Sequence, residues 1–217
     1  MKKIISFCFL FIIVISSVSA QQLGKRKVAD GVKVALPKDF TKMTDDDIVV
    51  RYYTHKKPLA LYTSEDRNIG FGFNIASVSW QFTDLELLRK FYKATVLSMF
   101  NKVDLINEGV KTVNGQEYAF LEFTSNVDRI KNYFYVQYII VHDRIFVFHM
   151  MCPVQGKQKW APVAHEVMES IKVNPNKLRK LEVPKQVEPE PRPVPTEPKT
   201  PTKPKDPAQQ EDVPTFR

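Results

Sequence analysis

The sequence predicts an α+β fold: a mostly antiparallel sheet with two main helices packed against it, in the order ββββαββββα, followed by a proline-rich tail. Three observations predict it. Apolar residues recur at every second position through most of 32–152, the pattern of strands with two distinct faces. That period switches to three and four after Asp84 and again after Trp160, the pattern of amphipathic helices. Asn114-Gly115 and His142-Asp143 sit between alternating runs, which makes tight hairpins and therefore antiparallel neighbours.

The elements follow in order. Residues 1–20 read as a secretory signal: Lys2 and Lys3, an apolar run from Ile4 to Val18, and small residues before a cut between Ala20 and Gln21. That run is shorter than the roughly 20 residues a membrane span requires, so no integral span is expected after cleavage. The mature chain then keeps one cysteine, Cys152, and must be held by its core without an internal disulfide. After a short polar lead, Val32–Leu36 is a strand stopped by Pro37. Ile48–Tyr53 and Leu59–Thr63 are short β-branched and aromatic runs, read as two strands around a turn at Thr54–Pro58. Asp45-Asp46-Asp47 reads as a solvated turn, because consecutive acids do not follow the alternating spacing of a calcium loop. Ile69–Trp80 is a longer strand, with Gly70 and Gly72 marking a bend or close packing on one face.

From Asp84 the apolar positions Leu85, Leu88, Tyr92, Val96 and Met99 make a helix, with Thr83 or Asp84 as its N-cap. Leu87 and Phe91 widen the apolar face, so this helix is expected to sit deep against the sheet. Asp104–Val113 and Gln116–Thr124 flank the first hairpin turn, and Asn132–Val141 and Arg144–Cys152 the second. Tyr133–Val141 is apolar on both faces and is read as a central strand covered on both sides. Trp160, Val163, Ala164, Val167, Met168 and Ile171 form the closing helical stripe, with Pro162 in its first turn.

The early "VALPKDF" strand, the mid-chain helix ending near Phe100, the "VNGQEYAFLEF" hairpin and the closing helix from Trp160 together resemble the PsbP-like (DcrB-like) fold family. The resemblance covers 28–174, read as a PsbP-like α+β domain, between the signal peptide over 1–20 and the proline-rich tail over 175–217, which has no counterpart in it. It implies an accessory or docking role and supplies no catalytic set.

Few residue patterns point to chemistry. His165-Glu166-Val-Met-Glu169 is one ligand short of a zinc-protease motif, and the apolar stripe of its helix uses the other positions. A solvated helix face is the favoured reading. His149 and Cys152, near Met150 and Met151, could supply a soft-metal site or a hydrolase nucleophile. Strand alternation sends His149 and Met151 to one face and Met150 and Cys152 to the other, so these residues are read as core. With no phosphate loop, nucleophile elbow or dinucleotide fingerprint, no catalytic residue, cofactor or metal is expected. The formal charge of +8 is interspersed along the chain, without the basic stripe that nucleic acid requires. The aromatics Tyr52, Tyr53, Tyr133, Phe134, Tyr135 and Tyr138 exceed what a one-sided sheet needs, so either a second layer covers them or part is exposed and binds something.

Ten of the fifteen prolines lie between Pro184 and Pro214. The segment has no apolar period and suits polyproline II, in composition like a TonB-type spacer. Removing 178–217 is therefore expected to leave the melting temperature nearly unchanged. The sequence as a whole is read as a non-enzymatic exported protein, periplasmic or secreted, docking to a protein partner in the bacterial cell envelope. The alternative is an envelope hydrolase or small-ligand-binding protein using a cleft near His149 and Cys152.

Overall fold

The computed structural model describes residues 21–52, 58–127 and 129–182, with side chains left out for 49–52. The signal segment 1–20 with its Ala20–Gln21 cut, most of the Thr54–Pro58 turn, and the proline-rich stretch from Val183 lie outside the described residues.

Strand β1 (Leu23–Ala29) turns at Asp30-Gly31 into β2 (Val32–Pro37), and short β3 (Thr41–Lys42) follows. Helix α1 (Asp45–Tyr52) comes next, then β4 (Ala60–Thr63) and β5 (Gly70–Ser79). Helix α2 (Leu85–Met99) leads into a meander of β6 (Asn101–Val113), β7 (Gln116–Val127), β8 (Ile130–Val141) and β9 (Arg144–Pro153). Helix α3 (Lys157–Glu169), β10 (Lys172–Val173) and a one-turn helix α4 (Pro175–Leu178) close the described chain. A seven-stranded antiparallel sheet has the order β3-β4-β5-β9-β8-β7-β6, and a three-stranded sheet has the order β1-β2-β10. The α+β, mostly antiparallel expectation holds.

Both predicted hairpins form. Asn114 and Gly115 take φ of +48° and +80°, and His142 takes +58°. Asp84 caps α2, its carboxylate accepting from the Glu86 N–H at 2.8 Å and the Leu87 N–H at 3.2 Å. Strand β8 lies between β7 and β9 and is buried on both faces. Tyr133, Tyr135 and Ile139 face one core, with α3 and the small sheet above them. Phe134, Val136 and Tyr138 face the other, which α2 covers. A second layer therefore accounts for the described aromatics of β8.

Four expectations are corrected. Residues 45–52 form a helix, not a turn followed by a strand. Thr44 Oγ1 accepts from the Asp47 N–H at 3.2 Å, the Asp47 carboxylate accepts from Thr44 Oγ1–H at 2.9 Å, and three acids occupy the first turn. That is a capping box with charges suited to a helix N-terminus. Ile48 then packs on Met43 and Leu61. The polar lead is strand β1, with Lys25 and Lys27 outward and Val28 buried. Helix α2 does not sit deep: it buries Leu88 and Val96 and leaves Leu87, Phe91, Leu97 and Met99 exposed. Finally, the fold continues past 174. Leu178 is fully buried, Leu181 packs on the same core, and the Arg144 guanidinium donates to the Arg179 and Leu181 carbonyls. Truncation from 178 therefore removes core.

Candidate functional site

The β8–β9 ladder runs in unbroken register from Asn132↔Pro153 to Val141↔Arg144, so alternation along β9 is strict. His149 and Cys152 point to opposite sides of the large sheet and share no cleft. His149 lies opposite Gly72 of β5 and Val136 of β8. Burial pushes its imidazole down to about 4, which leaves the ring neutral near pH 7. Cys152 is buried opposite Tyr133, and burial pushes its thiol up to about 11 despite the opposing pull of Lys157. A thiol held protonated and covered has neither the thiolate nor the access a nucleophile needs. The native protein is expected to react with a thiol reagent at about pH 8 at least ~100-fold more slowly than urea-unfolded protein. A rapid native reaction would show an exposed thiolate.

The near-miss zinc motif does not assemble either. Glu169 is mostly exposed and reaches toward Lys111, at 3.8 Å, while His165 turns inward against the sheet. Its ring lies 4.5 Å from that of Tyr135, and its Nε2 is 3.5 Å from Glu122. His165 is thus half-buried rather than on a solvated face. Among the described residues, no group of three or more histidine, cysteine, aspartate or glutamate side chains could hold a metal ion.

Glu122 is the residue the sequence reading missed. It sits on the α3 side of β7, buried to 8% exposure, and its Oε1 accepts from the Tyr133 hydroxyl at 2.9 Å. Burial, then the Glu122 charge, push the Tyr133 phenol up, and burial pushes Tyr135 up to about 12. Lys111 lies 5.2 Å from the Tyr135 ring and 5.6 Å from the Phe120 ring, and desolvation there lowers its ammonium. One carboxylate oxygen is taken by the Tyr133 hydroxyl, and the other faces the His165 ring at 3.5 Å. The cluster ties α3 to the sheet and offers no open acid or base. The signal available was an acid at an alternating position of an otherwise apolar strand.

The surface that remains unsatisfied lies over the start of α2. Trp80 follows β5, and its ring meets Phe82 at 5.6 Å and Phe91 at 5.3 Å. Phe91 in turn meets Tyr92, which stacks on buried Tyr138 at 3.9 Å. Phe82, Leu87 and Phe91 are 58%, 40% and 38% exposed, and Leu87 and Phe91 are one helical turn apart. Beneath them the buried Trp80 indole N–H has no acceptor. The aromatic platform is anchored in the core and open above.

No protein-family model matches the chain, and no curated protein matches it significantly. Solved structures do. The cyanobacterial PsbP protein CyanoP from Synechocystis sp. PCC 6803 aligns with a TM-score of 0.52 at 14% identity, over 71% of this chain and 94% of that one. LpqN, involved in cell envelope biogenesis of Mycobacterium tuberculosis, aligns at a TM-score of 0.49 and 8% identity, over 74% of this chain and 96% of that one. PA94 from Pseudomonas aeruginosa aligns at a TM-score of 0.42 and 6% identity, over 69% and 95%. The chain is an α+β protein of layered antiparallel sheet. More particularly, its globular part has the PsbP-like fold.

Proposed function

We propose that this chain is an exported accessory protein of the bacterial cell envelope that performs no chemistry of its own. It docks on a larger protein complex through the apolar surface around Trp80. The observation that carries the reading is the exposed trio Phe82, Leu87 and Phe91, of which both rings pack on the buried Trp80. Such an apolar surface is costly to leave in water, and a partner would bury it. Export rests on the pattern of residues 1–20. No described helix is long and apolar enough to cross a membrane. The absence of chemistry rests on His149 and Cys152 facing away from each other and on the closed Glu122 cluster.

A photocrosslinking residue at position 82 tests the docking surface in intact cells. It is expected to trap one partner that also captures this chain when it is itself used as bait, and Phe91→Asp is expected to abolish the adduct. Phe82→Ser alone should change stability by less than about 0.5 kcal/mol, since the side chain is exposed. An adduct indifferent to Phe91→Asp, or no adduct, refutes the surface. Mass spectrometry of the mature N-terminus tests export separately, with Gln21 as the expected first residue.

A further inference from the structure

On the opposite, polar side of the small sheet the fold gathers charges that are scattered in sequence. Register places Lys27 opposite Lys33, and Lys33 opposite Lys172, so three lysines cross β1, β2 and β10 in one row. All three are exposed, because β2 turns Val32, Val34 and Leu36 inward and Lys33 outward. Lys25, two residues before Lys27, shares that face. Like charges directly opposite on adjacent strands repel and cost stability, and here the middle member has a cation on each side.

Little in the fold relieves this. Lys27 pairs with Asp30 at 2.9 Å across an exposed turn. Lys25, Lys33 and Lys172 make no ion pair among the described residues. The row borders a groove of ≈ 470 Å³ that also includes Arg26, Asn114, Glu169 and Ser170. Arg26 is committed to the Lys38 carbonyl at 2.8 Å. Glu169, the acid of the groove, lies toward Lys111. The neutral groups are occupied in building the wall. Ser170 Oγ accepts from the Ala35 N–H at 2.8 Å and donates to the Val167 carbonyl at 2.6 Å. The Asn114 amide donates to the Glu169 and Ile171 carbonyls at 3.0 and 2.8 Å. What the groove presents to a ligand is therefore a rigid wall and the unpaired ammonium groups of Lys25, Lys33 and Lys172, with Lys27 held by Asp30 beside them.

We infer that this groove binds a phosphate-bearing anion of several charges, with Lys33 at the centre of the site. Its volume suits a small ligand rather than a macromolecule. Lysine ammonium groups bind phosphate as compact point charges, and several in one row match an anion that carries several charges. The row follows the strand-to-strand repeat of about 4.8 Å, so an elongated oligophosphate can meet more than one ammonium at once. The inference is independent of the Trp80 surface, which lies on other elements.

The test uses the chain from Gln21 with inorganic tripolyphosphate as probe, at constant ionic strength, read by calorimetry and thermal melting. Tripolyphosphate is expected to bind and to raise the melting temperature beyond what sodium chloride of equal ionic strength does. Lys33→Gln is expected to weaken binding about tenfold or more. At low salt and without ligand, the same variant should melt higher, because the central repulsion is gone. Lys90→Gln, on exposed α2, should change binding less than about twofold. Vesicles containing phosphatidylglycerol distinguish the source. Adsorption that needs Lys33 and is displaced by tripolyphosphate assigns the phosphate to a lipid headgroup, and absence of adsorption assigns it to a soluble ligand. Equal losses for Lys33→Gln and Lys90→Gln, or binding explained by ionic strength alone, would overturn the inference.

Discussion

Alanine at position 72 is expected to destabilise the protein by about 2 kcal/mol, and removal of the His149 ring to cost less in that chain than in the unmodified protein. Gly72 lies opposite His149 in the β5–β9 ladder. A Cβ on residue 72 would stand 2.1 Å from His149 Cε1 and 2.4 Å from Nε2. Strand β5 is hydrogen-bonded to β4 and β9, so the backbone cannot back away, and the imidazole must leave its place. Overpacking of this kind costs about 1–3 kcal/mol. His149→Ala alone removes packing and costs a similar amount. Joined with Gly72→Ala it leaves room for the new methyl, so the double variant should lie ~1 kcal/mol or more above the sum of the singles. Urea unfolding of the four proteins measures this directly, and additivity within about 0.5 kcal/mol would mean the two residues do not share a space. The same ring carries a pH signature. Its folded pKa is about 4, below the ordinary 6.5, because burial disfavours the charged form. As pH falls through 6.5 the unfolded chain takes up the proton first, so stability drops until about pH 4 and then levels for this group. The full difference would be about 3 kcal/mol, and since the residue keeps some accessible surface a loss of about 1–2 is expected. His149→Gln should remove that portion of the acid dependence.

How much of this was legible in the sequence depends on how local each determinant is. The Asn114-Gly115 turn, the Asp84 cap and the two apolar faces of Tyr133–Val141 are decided by neighbours in the chain, and all three stand as read. Residues 45–52 mislead because Ile48 to Tyr53 reads as a strand by propensity, while Thr44 and Asp47 impose a helix through their caps. Strand β1 was hidden for a different reason. The irregularity between Lys27 and Ala29 breaks its alternation, and Arg26 points inward to lie 5.9 Å from the Tyr62 ring. The Asp30-Gly31 pair, with Gly31 at φ +81°, was the turn signal that could have revealed it. Sites divide in the same way. Alternation alone separates His149 from Cys152. Whether Phe91 is covered depends on what lies beyond the helix, and the lysine row depends on pairing Lys33 with a residue far along the chain, Lys172. Periodicity carries neither piece of information.

The far end of the fold gives the second large effect. A chain ending after Lys177 is expected to be less stable than one ending after Glu182 by about 2–4 kcal/mol. Leu178 is fully buried in the core that includes Val32 and Ile171, and losing a buried leucine side chain costs about 2–5 kcal/mol. Leu181 packs at the edge of the same cluster. The shorter chain also strips Arg144 of both carbonyl acceptors, leaving a half-buried guanidinium 5.3 Å from the Phe146 ring. The segment is reached through a chain of fixed points. The Asn174 N–H donates to the Gly31 carbonyl at 2.8 Å, and the Asn174 side chain accepts from the Lys177 N–H at 3.3 Å. These hold α4 against the β1–β2 turn, where a Cβ at Gly31 would stand 2.6 Å from the Lys177 Cβ. Leu178→Ala in the longer chain should reproduce at least half of the truncation effect, because the buried side chain dominates it. Equal denaturation midpoints for the two truncated chains would place the end of the domain at 174 and make the contacts of Leu178 energetically silent.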